Sequence, residues 1–231
     1  MLGFGARATR PDQPPKYLNS KDGELFHKSR CLFGIDHAWK AISKAGRAVV
    51  VEGYTDALAL HQAGIEEAVA VMGTSITEEQ VQMLSGHVDE IVLALDADSA
   101  GQQAMLRTQR VAESRGMRIG VAKMPAGEDP ADMIAAEGGA GRFRELVENW
   151  VALPEFQVGL VLDATDVGSP AARDQALLEL APVLAAMGEG AIRDELVRRI
   201  AERLDLEPAT VVGRVSAARG AAAAAPARAR R

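Results

Sequence analysis

The stretch VVVEGYTDALAL (residues 49–60) decides the fold, together with its counterpart IVLALDADSAGQQA (91–104). Each opens on an unbroken apolar run, reaches a carboxylate beside a small residue, and continues into a helical pattern. Apolar runs without polar alternation read as strands buried on both faces, which belong in a parallel sheet covered by helices. The strands expected are AVVVE (48–52), EAVAV (67–71), EIVLAL (90–95) and RIGVAKM (118–124). Their spacing of roughly 20 to 28 residues suits strand–helix units. The helices between them carry their own end signals. Thr77 and Gln80 form a capping box with Ile76 stapled onto Val81, Ser99 or Asp98 caps the next helix, and Gly116 stops it. A compact α/β domain with a parallel four-strand sheet is therefore expected over 46–149.

Three of these strands deliver carboxylates at their carboxyl ends. Glu52 closes the first, Asp96 and Asp98 follow the third, and Asp129 follows the fourth in PAGEDPAD. Ligands of open α/β sheets bind beyond those ends. Four carboxylates in one crevice repel one another unless a cation neutralises them. Oxygen donors without His or Cys favour Mg²⁺, or Mn²⁺, over zinc. Taken singly, each acid has a plainer reading. Asp98 and Asp129 read equally well as helix caps, and Asp56 lies one turn into a helix, where a carboxylate favours the dipole. Glu52 is harder to reduce to a cap, because Glu caps poorly and VVV precedes it.

Outward from the sheet, the charge is divided. Residues 1–48 carry nine Lys/Arg against four Asp/Glu, a net of +5; residues 49–150 come to −10 and residues 151–231 to −1. A basic segment joined to an acidic one fits a protein that grips phosphates with one part and divalent metal with the other. After Val151 the strand pattern ceases. Segments 151–163, 170–187, 190–204 and 207–219 read as helices, and RGAAAAAPARARR reads as a disordered tail over 220–231. Cys31 is the single cysteine, so no internal disulfide and no cysteine-based zinc site is expected. No apolar run approaches the roughly 18 residues of a membrane span, and no secretory h-region opens the chain. A cytoplasmic protein is expected.

The combination VVVEGYTDALAL…VAVMGTSIT…IVLALDADSAGQQA…PAGEDPAD resembles the Toprim domain shared by DnaG-type primases, type IA and II topoisomerases and recombination proteins. EGY-x-D and MGTS-x-T point to bacterial DnaG-type DNA primases within that group. So does GFGARA…PKYLNS…LFHKSR, similar to the basic subdomain that precedes Toprim in primases. The helices after 151 are similar to the helical subdomain that follows it. The resemblance implies an order of partial basic subdomain (1–45), Toprim domain (46–149) and helical subdomain (150–219). It implies Glu52, Asp56, Asp96 and Asp98 as catalytic residues, with Glu52, Asp96, Asp98 and Asp129 on Mg²⁺ (Mn²⁺ as alternative). Arg7, Lys16, Tyr17, Asn19 and Lys28 match nucleic-acid- or nucleotide-binding positions. The implied activity is RNA primer synthesis from NTPs on single-stranded DNA by two-metal nucleotidyl transfer. The chain departs from the family at D-P-A-D, where Ala131 replaces a carboxylate. The family's N-terminal zinc ribbon, its early polymerase core and its helicase-binding domain are expected to be absent.

Other readings of the same acids stay open. A Toprim nuclease would use them to activate water, and a non-catalytic fragment would only bind DNA or helicase. A topoisomerase needs a catalytic tyrosine on a separate domain, and Tyr17 and Tyr54 are the only tyrosines. A haloacid-dehalogenase-like phosphatase would want Thr or Val where Ala100 stands.

Overall fold

The structure, a computed structural model, describes residues 3–8, 10, 17–72, 76–95 and 102–224; of Tyr17, 102–107 and 222–224 it describes the backbone alone. Two three-residue strands, β1 (Gly5–Arg7) and β2 (Tyr17–Asn19), pair antiparallel, with Gly5 opposite Asn19. A 3₁₀ turn (Lys28–Arg30) leads to α1 (Ile35–Ala45). Strands and helices then alternate: β3 (Arg47–Val51), α2 (Tyr54–Gln62), β4 (Ala68–Ala70), α3 (Glu78–Leu84), β5 (Glu90–Ala94), α4 (Gln102–Ser114), β6 (Arg118–Val121), α5 (Pro130–Ala135) and α6 (Gly139–Glu148). The strand β7 (Val151–Ala152) precedes four helices, α7 (Leu153–Ala164), α8 (Pro170–Ala186), α9 (Ala191–Arg203) and α10 (Pro208–Ala224). The chain divides into two compact units, Met1–Val151 and Ala152–Arg231.

In the first unit the valine run does what its composition dictates. Val49, Val50 and Val51 are wholly buried, and β3 lies between β4 and β5, parallel to both. β6 pairs parallel with β5, and the full order is β4-β3-β5-β6-β7. The α/β fold with its parallel four-strand sheet is thus borne out, with β7 as a two-residue addition too short to leave a hydrophobic period. Val51 stands opposite Ala70 on one side and Ala94 on the other. The carboxyl ends of β3, β4 and β5 therefore share one edge. Beneath them Val49, Val51, Ala57, Leu60, Met133 and Phe143 form one apolar core.

The caps follow the sequence reading. Thr77 Oγ1 accepts the Gln80 N–H at 3.2 Å, and Gln80 Oε1 accepts the Thr77 N–H at 3.0 Å. Ile76 and Val81 are both buried. Gly116, beyond the end of α4, has φ +67°, a conformation glycine adopts without penalty. The expected caps Ser99 and Asp98 lie outside the described residues.

The second unit is helical, as its periodicity predicts. Leu177, Leu180, Leu184, Leu196, Ile200, Leu204, Val211 and Val215 are buried in its core. Its last helix runs past residue 220 to Ala224. Alanine has the highest intrinsic helix propensity, so residues 220–224 extend α10 where a tail was expected over 220–231; residues 225–231 lie outside the described residues. Among the described residues, no helix is long and apolar enough to cross a membrane.

Candidate metal and nucleic-acid site

Glu52 follows β3 directly and is half-buried, at the edge where β3, β4 and β5 end together. Its carbonyl accepts the N–H of Met72, the second residue beyond β4, at 3.0 Å. The next residue, Gly53, is the N-cap of α2. Asp56 is buried at the third position of α2, and its Oδ2 accepts the Gly53 N–H at 3.1 Å. Asp56 is thus placed one turn from Glu52, with one oxygen closing the helix start. Asp129 is the N-cap of α5, with its Oδ1 accepting the Asp132 N–H at 2.8 Å. Pro130 takes the first helical position, where its missing N–H costs nothing. Asp132 is exposed in the first turn of α5, where its charge favours the helix dipole. Asp96 and Asp98 lie outside the described residues. Among the described residues, no three His, Cys, Asp or Glu side chains gather closely enough to hold a metal ion.

The oxygen donors that the described part does bring to this edge fit a hard cation. Glu52 supplies a carboxylate at the end of a buried strand, and His61 is turned away, with its Nε2 2.8 Å from the Ala68 carbonyl. Cys31 is half-buried in the basic N-terminal arm, residues 1–45.

The arm is fastened beside the same edge by three sets of hydrogen bonds and one packing contact. Phe33 bridges to Ala70 through N–H donations in both directions, at 2.9 and 3.1 Å. The Asn19 amide donates to the Met72 carbonyl at 3.0 Å. Met72 has φ +60°, a left-handed conformation that a methionine adopts only when neighbours hold it there. Its N–H on Glu52 and its carbonyl on Asn19 are two such holds. A side chain on Gly5 would come within 2.9 Å of the Tyr54 ring, so β1 lies against the start of α2. Thr77 and Gln80 reach the 3₁₀ turn that carries Lys28.

The binding residues read from the sequence therefore fare differently. Arg7 is exposed on β1, and Lys28 is half-buried in its turn, with its N–H donated to Asp22 at 3.1 Å. Asn19 is engaged with Met72. Tyr17 lies in β2, with its side chain beyond what is described, and Lys16 lies outside the described residues. Sequence reasoning did not find Met72, Thr77 or Gln80 as contacts of the arm; no period or spacing marks a bond across some fifty residues.

A sheet whose adjacent parallel strands end at Glu52 and at the start of LDADSAG defines a Toprim-type α/β domain. Residues 49–134 match the family described as Toprim-like, residues 1–39 the DNA primase catalytic core, N-terminal domain, and residues 154–209 the DnaB-helicase binding domain of primase. The DNA primase of Streptomyces coelicolor is 37% identical over 223 residues, 94% of this chain and 35% of that protein. A crystal structure of a DNA primase domain from Pseudomonas aeruginosa aligns with TM-score 0.72 and 30% identity, covering 94% of this chain and 68% of that one. The RNA polymerase domain of Mycobacterium tuberculosis primase DnaG aligns with TM-score 0.70 and 33% identity, covering 87% and 65%. The chain belongs to the bacterial DnaG-type DNA primase family. It spans about a third of the length of the curated relatives it matches.

Two expectations are overturned. The early polymerase core was expected to be absent, yet residues 1–39 match the N-terminal domain of the catalytic core. The helicase-binding domain was also expected to be absent, yet residues 154–209 match it. The physical reason is the same for both. Amphipathic Ala/Leu helices announce a packed bundle, and short basic strands announce an arm, but neither pattern names its partner.

Proposed function

We propose that the chain joins ribonucleotides into RNA primers on a single-stranded DNA template, as part of DNA replication in the cytoplasm. The observation that carries this is the shared edge of the sheet. Glu52 follows β3, which pairs with β5, the strand that precedes Asp96 and Asp98 in the sequence, and the basic arm is bonded to that edge. Bound by Glu52, Asp96 and Asp98, with Asp129 as a further ligand, Mg²⁺ or Mn²⁺ would supply neutralising charge to the triphosphate and acidify the attacking 3′-hydroxyl. Asp56 reaches back to the Gly53 N–H and holds the backbone next to Glu52. Arg7, Lys16 and Lys28 hold phosphates of template and nucleotide, contacts that position without reading sequence. Tyr17 and Asn19 share that binding role, Asn19 also donating to the Met72 carbonyl.

On this reading residues 1–45 are a basic arm, 46–149 the metal-binding domain and 150–219 the helical subdomain. The match of 154–209 supports docking of a replicative helicase by that last part. The test is primer extension with NTPs, single-stranded template and Mg²⁺. Glu52→Gln removes a metal ligand without removing a packing group, so synthesis is lost and the circular dichroism spectrum stays unchanged. A well-folded Glu52→Gln that keeps most of the activity refutes the assignment. Release of cleaved DNA without NTP incorporation would favour a Toprim nuclease instead.

A further inference from the structure

The capping box at the head of α3 does more than start a helix. The reciprocal bonds between Thr77 and Gln80 satisfy the orphan N–H groups of that terminus. Such a cap ordinarily leaves the glutamine NH₂ to water. Here Gln80 is wholly buried. Its Nε2 donates to the carbonyl of Lys28 at 3.1 Å and to that of Cys31 at 2.8 Å. The Thr77 hydroxyl donates to the carbonyl of Ser29 at 2.6 Å. Two side chains of α3 and its cap thus hold three backbone carbonyls within the four residues Lys28–Cys31.

Those residues have little else to fix them. The 3₁₀ turn Lys28–Arg30 keeps two backbone bonds of its own, Arg30 N–H to His27 and Cys31 N–H to Lys28, and the Lys28 N–H donates to the exposed Asp22 carboxylate at 3.1 Å. Short 3₁₀ pieces have poor hydrogen-bond geometry, and one turn of helix does not stabilise itself in water. Three bonds from Thr77 and Gln80, beside the one with Asp22, therefore hold the conformation of the turn. The turn presents Lys28, half-buried, and Arg30, exposed.

We propose that Gln80, with Thr77, is a positioning residue for single-stranded nucleic acid: it fixes the Lys28–Arg30 turn so that these two cations meet backbone phosphates without first having to be ordered. This rests on the reading of Lys28 as a phosphate contact. A loose turn would still attract DNA, but binding would then carry the entropy of ordering two long side chains.

The experiment is a salt titration of oligo-dT binding by fluorescence anisotropy, with fold checked by circular dichroism. Gln80→Met keeps length and burial and removes every side-chain hydrogen bond, leaving the backbone N–H on Thr77. It weakens binding about 3- to 10-fold, the equivalent of ordering one or two side chains. Lys28→Ala with Arg30→Ala flattens the log–log salt slope by about 1.4, at roughly 0.7 per single-strand contact. In that double-alanine background Gln80→Met weakens binding no further, because nothing remains to be positioned. Thr77→Val removes the second tether and weakens binding, whereas Thr77→Ser keeps the hydroxyl and the wild-type affinity. The Thr77 pair decides the matter if Gln80→Met does not fold. Wild-type binding by Gln80→Met or Thr77→Val, with a flattened slope in the double-alanine variant, overturns the positioning role and leaves the phosphate contacts standing. An equal loss from Gln80→Met in both backgrounds makes the effect merely structural and also overturns it. An unchanged slope in the double-alanine variant overturns the phosphate reading, and the proposal with it.

Discussion

Gly139 is the position where one added methyl group should do most damage to the Met1–Val151 unit. It begins α6 immediately behind α5, and a Cβ there would stand 1.8 Å from the Met133 carbonyl oxygen and 2.8 Å from its carbon. Both partners are backbone, so no side chain can swing aside. An ordinary contact requires α6 to retreat by more than 1 Å from α5. Met133, Phe143 and Val147, which join these helices to the core, are all buried. Overpacking a core costs about 1–3 kcal/mol, and a backbone-to-backbone clash belongs at the upper end. Alanine returns up to about 1 kcal/mol of helix propensity, which leaves a net loss of roughly 2–3 kcal/mol for Gly139→Ala. At about 2–4 °C per kcal/mol for a unit of this size, the midpoint should fall by roughly 5–10 °C.

The assay is thermal unfolding followed by tryptophan fluorescence. Trp39 and Trp150 are the only tryptophans, and both lie in the Met1–Val151 unit, so the signal reports that unit alone. Gly141→Ala is the control. It lies in the same helix with nothing within 4 Å of its Cβ position, and should leave the midpoint unchanged or raise it slightly. Equal shifts for the two variants would refute the packing argument.

Asp129→Asn keeps the cap of α5, because Asn caps as well as Asp, but removes a charge; it should raise the Mg²⁺ needed for primer synthesis several-fold, whereas Asp132→Asn changes it little. A metal titration in which Asp132→Asn shows the larger defect reverses that assignment. Gly120→Ala drives a Cβ to within 2.0 Å of the Trp150 ring, which also sits 5.9 Å from the Arg118 guanidinium carbon. It should destabilise the unit by about 1–3 kcal/mol, and urea unfolding should show that loss shrinking when Trp150→Leu makes room. Lys16→Ala with Lys28→Ala should flatten the salt dependence of single-strand binding by about 1 to 1.5 log–log units, read by the same anisotropy titration; an unchanged slope places both lysines in solvent.

What the sequence made legible was what short-range chemistry controls. The valines at 49–51 can only be a doubly buried strand, and Thr77 with Gln80 can only start a helix, so both were readable in place. Asn19 was assigned to nucleic-acid or nucleotide binding by the resemblance of PKYLNS to the family's stretch. Its amide also donates to Met72, whose left-handed φ has no signature in the residue name. Gln80 shows the same gap from the other side. Its capping role was visible, while its two bonds to the arm depend on where the fold delivers Lys28 and Cys31.

These long-range bonds change what the boundary at residue 45 means. The described part of the arm buries few large apolar side chains, Phe26 and Leu32 among them, too few to offset the entropy of ordering some forty residues. Its hydrogen bonds run to Ala70, Met72, Thr77 and Gln80, all in or beside the β4–α3 connection. The arm is therefore a functional segment that folds only as part of the Met1–Val151 unit. Its basic residues are held in register with the strand ends that carry Glu52 because the β4–α3 connection is bonded to both. The Met72 N–H reaches Glu52, the Met72 carbonyl accepts Asn19, and Gln80 holds the Lys28–Arg30 turn. On the proposed function, phosphate grip and metal binding are thereby coupled through Met72, so a substitution there should disturb both together.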